Sequence, residues 1–269
     1  MMSLASPSSA PRRDRMDTRS QSLSVLATDT NPQVSTDPSS SVSTRRRTHS
    51  ATLLVLASSS PRRQDLIRLF GGEVRLAPVD IDETPRPGES GVALTQRLAR
   101  AKAEAAARSA PAGSIVVAAD TTVADGEALL GKPADDEDAR AMLRRLRGRT
   151  HQVTSSVAVA TPEGLMAIDT CSTDVPMRAY RDDEIERFVA SGAAADKAGA
   201  YAIQDSGFDP VDVETLHGCF ANVMGLPMCH LVRTLRGVGV EPSRDVPSAC
   251  CALTGYACPV YREILEGVG

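Results

Sequence analysis

The sequence predicts an α/β protein, a mixed twisted sheet flanked by helices with an active-site cleft between two lobes, and three observations carry that prediction. Residues 53–57 and 115–119 are short unbroken apolar runs, as strands buried on both faces are. Each ends in residues suited to chemistry rather than packing. Farther along, two alternating runs joined by a short turn add an antiparallel pair, and segments of helical period lie between the strands.

In chain order, residues 53–57 form the first strand, and Ser58, Ser59 and Ser60 end it with hydroxyls that can donate to phosphate or cap a helix. Ser60 is the natural N-cap, and Pro61 suits the first helical position, where its missing N–H has no intrahelical partner to lose. Leu66, Ile67 and Leu69 face inward before Gly71 stops the helix. Arg62 and Arg63 therefore sit in the first turn. Cations are unfavourable beside the positive end of the helix dipole, so two of them there point to a polyanion. Residues 115–119 form a second buried strand that brings Asp120 to its carboxyl end, where open α/β sheets place their ligands. LLGKP at 129–133 then sets Lys132 between a flexible glycine and a rigid proline.

Residues 138–146 read as a helix with Ala139, Met142, Leu143 and Leu146 inward, stopped by Gly148. Residues 153–160 and 165–175 are strands joined by the turn at 161–164. A helix at 182–190 ends at Gly192, and 225–235 is the last helix of the body. There is no internal repeat, so 51–237 reads as one domain, followed by a tail at 238–269 of unassigned order.

Composition bounds the rest. The first fifty residues hold nineteen serines and threonines and no lysine, a composition that predicts disorder. Seven arginines against four aspartates give them +3, which leaves −7 for the remainder of a chain whose net charge is −4. An acidic body argues against a nucleic-acid surface, which would show as a basic stripe. No stretch is apolar enough to cross a membrane, no signal-peptide core is present, and Met16 offers an alternative start. The six cysteines, including the group Cys250, Cys251 and Cys258, follow neither a disulfide-framework nor a zinc spacing, so a reducing cytoplasm is expected. With residues 1–50 outside the core, their deletion is expected to leave the melting temperature and activity nearly unchanged. A large fall in melting temperature would contradict that reading.

The order of motifs resembles one family. SSSPRR at 58–63, DIDET at 80–84, RLARAKA at 97–103, AADT at 118–121 and LGKP at 130–133 are similar to the Maf family of nucleoside triphosphate pyrophosphatases. THQVTSSVAV at 150–159, SGAAADKAGAYAIQ at 191–204 and NVMGLP at 222–227 follow in the family's order. The resemblance spans about 52–236 and is far more specific than any single glycine loop.

That resemblance implies hydrolysis of a nucleoside triphosphate between its α and β phosphorus atoms, with Asp120 as the proton acceptor. A triphosphate carries about four negative charges and arrives with a divalent cation, so its site needs cations and carboxylates. Arg62, Arg63, Lys102, Lys132 and Lys197 answer the first need, and the Ser58 and Ser60 hydroxyls can donate to phosphate beside them. Glu83 and Asp120 answer the second, for Mg²⁺ or Mn²⁺. Neither a G-x-S-x-G turn nor a triad pattern among His49, His151, His217 and His230 supports a covalent serine. Within the family, Arg62, Thr121 and Gln204 resemble the dTTP/UTP type rather than the 7-methyl-GTP type, with the Gln204 amide pairing the pyrimidine edge. The acidic stretch with Asp209, Asp212 and Glu214 departs from the family pattern. The expected partner is the nucleotide, with no nucleic acid and no membrane, and a homodimer is compatible with the reading. The competing reading is a nucleotide-binding cell-division regulator without turnover.

Overall fold

The computed structural model of the protein describes residues 52–204 and 207–267. The disorder expected of residues 1–50 lies outside this range. Six strands form one mixed sheet among the described residues: β1 Leu54–Leu56, β2 Val74–Leu76, β3 Ile115–Asp125, β4 Ala128–Leu130, β5 Thr150–Ala160 and β6 Met166–Pro176. Their order is β2-β1-β3-β5-β6, with β4 on β3. β1 is parallel to β2 and β3, while β3–β4, β3–β5 and β5–β6 are antiparallel.

The two faces of β3 are buried differently, as the period of two requires. Val117, Ala119 and Val123 join the large core, whereas Val116 and Ala118 join a smaller one built mostly of alanines. That small core is covered by helix α2, Gly91–Ala107, whose Ala99, Ala103 and Ala106 let the helix lie close on the sheet. Ser90 starts this helix by accepting from the Ala93 N–H at 3.2 Å.

Helix α1, Pro61–Ile67, begins with Pro61 and buries Leu66 and Ile67 as expected, then tightens into a 3₁₀ turn at Arg68–Phe70 before Gly71, whose φ is 80°. Ser60 occupies the N-cap position, yet its side chain caps nothing; instead its N–H donates to Ser58 Oγ at 3.2 Å. Helix α3, Asp136–Leu146, starts two residues earlier than expected because Asp135 accepts from the Asp138 N–H. Helix α4 spans Asp182–Ala190, as expected.

The helix expected over 225–235 is α6, Met228–Gly237, which starts three residues later after a turn at Gly225, and a short helix α5, Phe220–Val223, precedes that turn. The segment after 238 carries two further helices, α7 Val246–Thr254 and α8 Tyr261–Glu266. They bury Val246, Tyr256 and Ile264, and the Tyr256 hydroxyl donates to the Leu216 carbonyl at 2.6 Å. Among the described residues no helix is long and apolar enough to cross a membrane, and all six cysteines are free thiols.

Candidate active site

The site begins with a gap in the sheet. β1 accompanies β3 only over Ile115–Val117, and β4 joins the same edge only from Val123, so the β3 edge between them has no partner strand. Asp120 thus lies in the middle of an eleven-residue strand and not at its end, a correction to the expectation from the apolar run. What ends at Val117 is the parallel neighbour. The gap does the work of the crevice that open sheets offer at a strand-order switch.

An exposed strand edge must satisfy its carbonyls, and Arg63 does so from the first turn of α1. Its Nη1 donates to the Ala119 carbonyl at 2.8 Å, its Nε to the Gly225 carbonyl at 2.8 Å, and its Nη2 to Thr121 Oγ1 at 2.9 Å. Thr121 Oγ1 lies 2.8 Å from Ser155 Oγ, which in turn donates to the Asn222 carbonyl at 3.2 Å. Four motifs that are distant in the chain meet in this network. A lysine is a single point donor and cannot reach three acceptors in a fork. Arg63→Lys is therefore expected to cost about 2–3 kcal/mol, the penalty for carbonyls left unpaired, read as a lower urea midpoint with an unchanged slope. An unchanged midpoint would show that water serves those carbonyls equally well.

Successive strand residues face opposite ways, so Asp120 points from the gap toward α2, away from Thr121. There Lys102 Nζ lies 2.7 Å from Asp120 Oδ1 and 2.6 Å from Glu83 Oε1. Lys102 and Asp120 are buried, while the Glu83 side chain is half exposed. Burial pushes the Asp120 carboxyl above its ordinary range, against the opposing charges of Lys102 and Arg63. Glu83 feels burial too, but the Lys102 hydrogen bond and charge prevail and hold it below its ordinary value. Two acids of similar intrinsic strength are thereby driven apart, the pattern that marks acid–base sites.

Two carboxylates converging on one point suit a small hard cation, which takes oxygen ligands and commonly fills its other positions with water and substrate phosphate. No cluster of three or more His, Cys, Asp or Glu side chains is placed to hold a metal among the described residues. Glu83 and Asp120, which share the Lys102 ammonium, supply two oxygen ligands, a set that fits a Mg²⁺-like ion whose remaining positions are filled by water and an anionic ligand.

These groups line a cavity of about 320 Å³. Ser58, Ser60, Arg62, Arg63, Glu83, Lys102, Asp120, Thr121 and Lys132 all border it, so most of the residues singled out in the sequence come together. Two do not. Lys197 donates to the Ala193 carbonyl and to Asp196 Oδ1, and it is Asp196 that borders the cavity. Gln204 is exposed and lies off the cavity lining. Residues unremarked in the sequence supply an apolar wall instead: Val123 and its cross-strand partner Val153, together with Ala198, Tyr201, Val223 and Met224. Val123 is three residues beyond Asp120, or about 10 Å along an extended strand, whereas Val223 and Met224 adjoin Gly225, whose carbonyl Arg63 binds.

A cavity whose lining combines cationic and hydroxyl groups with an apolar wall suits a ligand with a polyanionic tail and a flat organic head, which places the protein among α/β nucleotide-handling proteins. The chain belongs to the Maf family: the family profile described as "Maf-like protein" matches residues 53–238. It is 45% identical over 190 residues to a dTTP/UTP pyrophosphatase of Hahella chejuensis, covering 70% of this chain and 93% of that one. Similar relatives with the same name occur in Chromobacterium violaceum, 45% identical over 71% of this chain and 96% of the relative, and in Myxococcus xanthus, 47% identical over 70% and 94%.

Proposed function

We propose that the protein hydrolyses dTTP and UTP to the monophosphate and pyrophosphate, with Asp120 as general base. The observation that carries the reading is the buried Asp120 carboxyl, raised in pKa and paired with Lys102 beside a cluster of cationic and hydroxyl groups. A base must be ionised to accept a proton yet basic enough to want it, and a raised carboxylate approaches that balance. Asp120 takes the proton of a water that attacks phosphorus. Arg62, Lys132 and the Ser58–Ser60 hydroxyls stabilise charge on the transferring group and on the departing pyrophosphate, where most catalysis of phosphoryl chemistry resides. Mg²⁺ or Mn²⁺, held by Glu83 and Asp120, supplies further positive charge to the phosphate oxygens when bound. Lys102 keeps the two carboxylates within one hydrogen bond of the same ammonium. Free thiols fit a reducing cytoplasm, where such nucleotides are in solution.

The branch assignment rests on Arg62, Thr121 and Gln204, and on the names of the relatives. The test separates products of UTP by ion-exchange chromatography: UMP with pyrophosphate supports the reading, UDP with phosphate or saturable binding without turnover rejects it. In the same assay Lys132→Ala is expected to lower kcat/KM for UTP and GTP alike, because phosphate contacts are common to both. Gln204 is exposed and off the cavity lining, so Gln204→Ala is expected to leave the UTP/GTP ratio within about twofold of wild type. A roughly tenfold fall in that ratio would return Gln204 to the base site, and a wild type that prefers 7-methyl-GTP would reject the branch while leaving the chemistry standing.

A further inference from the structure

Phosphate chemistry does not explain how the apolar end of the cavity is built. Tyr201 borders the cavity and is 5% exposed. Its hydroxyl is 2.7 Å from Nε2 of His151, a buried residue of β5 that does not border the cavity. The two rings meet edge to face, with centroids 5.4 Å apart and planes at 85°. His151 Nδ1 is buried with no hydrogen-bond partner. Burial pushes the imidazole down to about 4, against the weaker pull of Asp125 and Asp174, so the ring is neutral near pH 7. A buried polar ring with one nitrogen unpaired is a net cost to the fold. Its hydrogen bond is spent on Tyr201.

The backbone under Tyr201 is unusual in the same direction. Gly199 has φ 68° and Ala200 φ 60°, and Ala200 is the one non-glycine residue with positive φ among the described residues. L-residues with a Cβ avoid that region, and strained backbone clusters where a side chain must be aimed. The turn is anchored on both sides. The Gly199 N–H donates to the Gly131 carbonyl at 3.0 Å, and a Cβ on Gly199 would lie 3.1 Å from Val123 Cγ1. Strain, anchoring and latch converge on the orientation of one phenol ring, whose hydroxyl is held by His151 and which borders the cavity by the narrow strip that 5% exposure leaves.

We propose that Tyr201 is the specificity-determining wall against which the nucleobase rests, and that His151 is the residue that positions it. A flat heteroaromatic ring finds there an aromatic edge that cannot rotate away, in a lining that also holds Val123 and Val153. This inference rests on the proposed nucleotide pyrophosphatase function. It assigns base recognition to a residue inside the AGAYAIQ motif other than Gln204.

The experiment compares UTP with inorganic tripolyphosphate, which has the phosphates and no base. KM and kcat for UTP, and the inhibition constant of tripolyphosphate against UTP hydrolysis, are measured for wild type, Tyr201→Leu, Tyr201→Phe, His151→Leu and His151→Gln. The expected result is a KM for UTP at least tenfold higher in Tyr201→Leu and severalfold higher in His151→Leu, with kcat within about threefold and the tripolyphosphate constant unchanged. Tyr201→Phe, which keeps the ring, and His151→Gln, which keeps an N–H donor, recover most of the loss. Equal weakening of UTP and tripolyphosphate, or an unchanged KM in Tyr201→Leu, overturns the inference. Should Tyr201→Leu fail to fold, His151→Leu supplies the test through ribose 5-triphosphate, which lacks the base: a kcat/KM lowered severalfold for UTP and unchanged for ribose 5-triphosphate upholds the inference, and an equal loss for both overturns it. Wild type without any UTP turnover would remove the proposed function and this inference together, whereas normal turnover with an insensitive Tyr201 removes this inference alone.

Discussion

Asp120→Asn is expected to lower kcat/KM for UTP by roughly two to four orders of magnitude, the range for loss of a positioned general base, while nucleotide binding persists. The amide preserves shape and still accepts from Lys102, but it cannot take a proton. The wild-type pH profile provides a second readout. Because burial raises the Asp120 carboxyl, activity rises with pH through an acid limb above the range of an ordinary aspartate, about 3.9. That limb should vanish from the residual activity of the asparagine variant. Turnover near that of wild type, or a limb that survives the substitution, would assign the proton to another group.

Lys102→Met should be the second most damaging change, and it acts on both carboxylates at once. Removing the ammonium leaves Asp120 buried and facing Glu83 with no intervening cation. Breaking one side of a buried ion pair costs about 3–5 kcal/mol, and the neighbouring like charge drives Asp120 further up. The acid limb therefore moves to higher pH. At neutral pH kcat should fall by about 10²–10³, as when a group that stabilises phosphoryl-transfer charge is removed. Stability carries the same sign. A carboxyl whose folded pKa is raised favours the native state in its protonated form, so the urea-midpoint deficit of Lys102→Met should shrink as pH falls through the shifted value. A deficit that is constant with pH would mean that Lys102 contributes through packing alone.

Much of this site was legible in the sequence because its parts are local. Ser58 to Arg63 announce a strand, a turn and the first turn of a helix by residue type alone, and Asp182–Ala190 has the boundaries its helical period and Gly192 indicate. The failures arise where one segment's fate is decided by another. An apolar run shows that residues 115–119 are buried, but it cannot show that β1 leaves at Val117 while β5 continues, so the sequence alone puts Asp120 at a strand end. Arg63 is as basic in sequence as Arg62, yet the gap in the sheet commits three of its N–H donors to the protein. Lys197 is drawn toward Asp196 and the Ala193 carbonyl, which spacing cannot reveal. Helix α7 did leave a signal that was overlooked: Asp245 accepts from the Ser248 N–H at its start, Pro247 follows at the second position, and Gly255 closes it in the left-handed conformation.

The helical pair that follows residue 238 has a bearing on how this sequence can change. The family profile stops at residue 238, yet Ser243 donates its N–H to the Phe70 carbonyl at 3.1 Å, and its hydroxyl occupies the space that a Cβ on Gly71 would need. Arg233 of α6 likewise donates to the Ile264 carbonyl of α8 at 3.0 Å. The segment after 238 and the domain restrict one another's repertoire: position 71, already held to glycine by its φ of 80°, is closed a second time by the Ser243 hydroxyl, and losing the segment would leave the Phe70 carbonyl without its Ser243 partner, while Arg233 would keep Asp169 alone. The smallest unit on which selection can act independently therefore extends past the family boundary to α8.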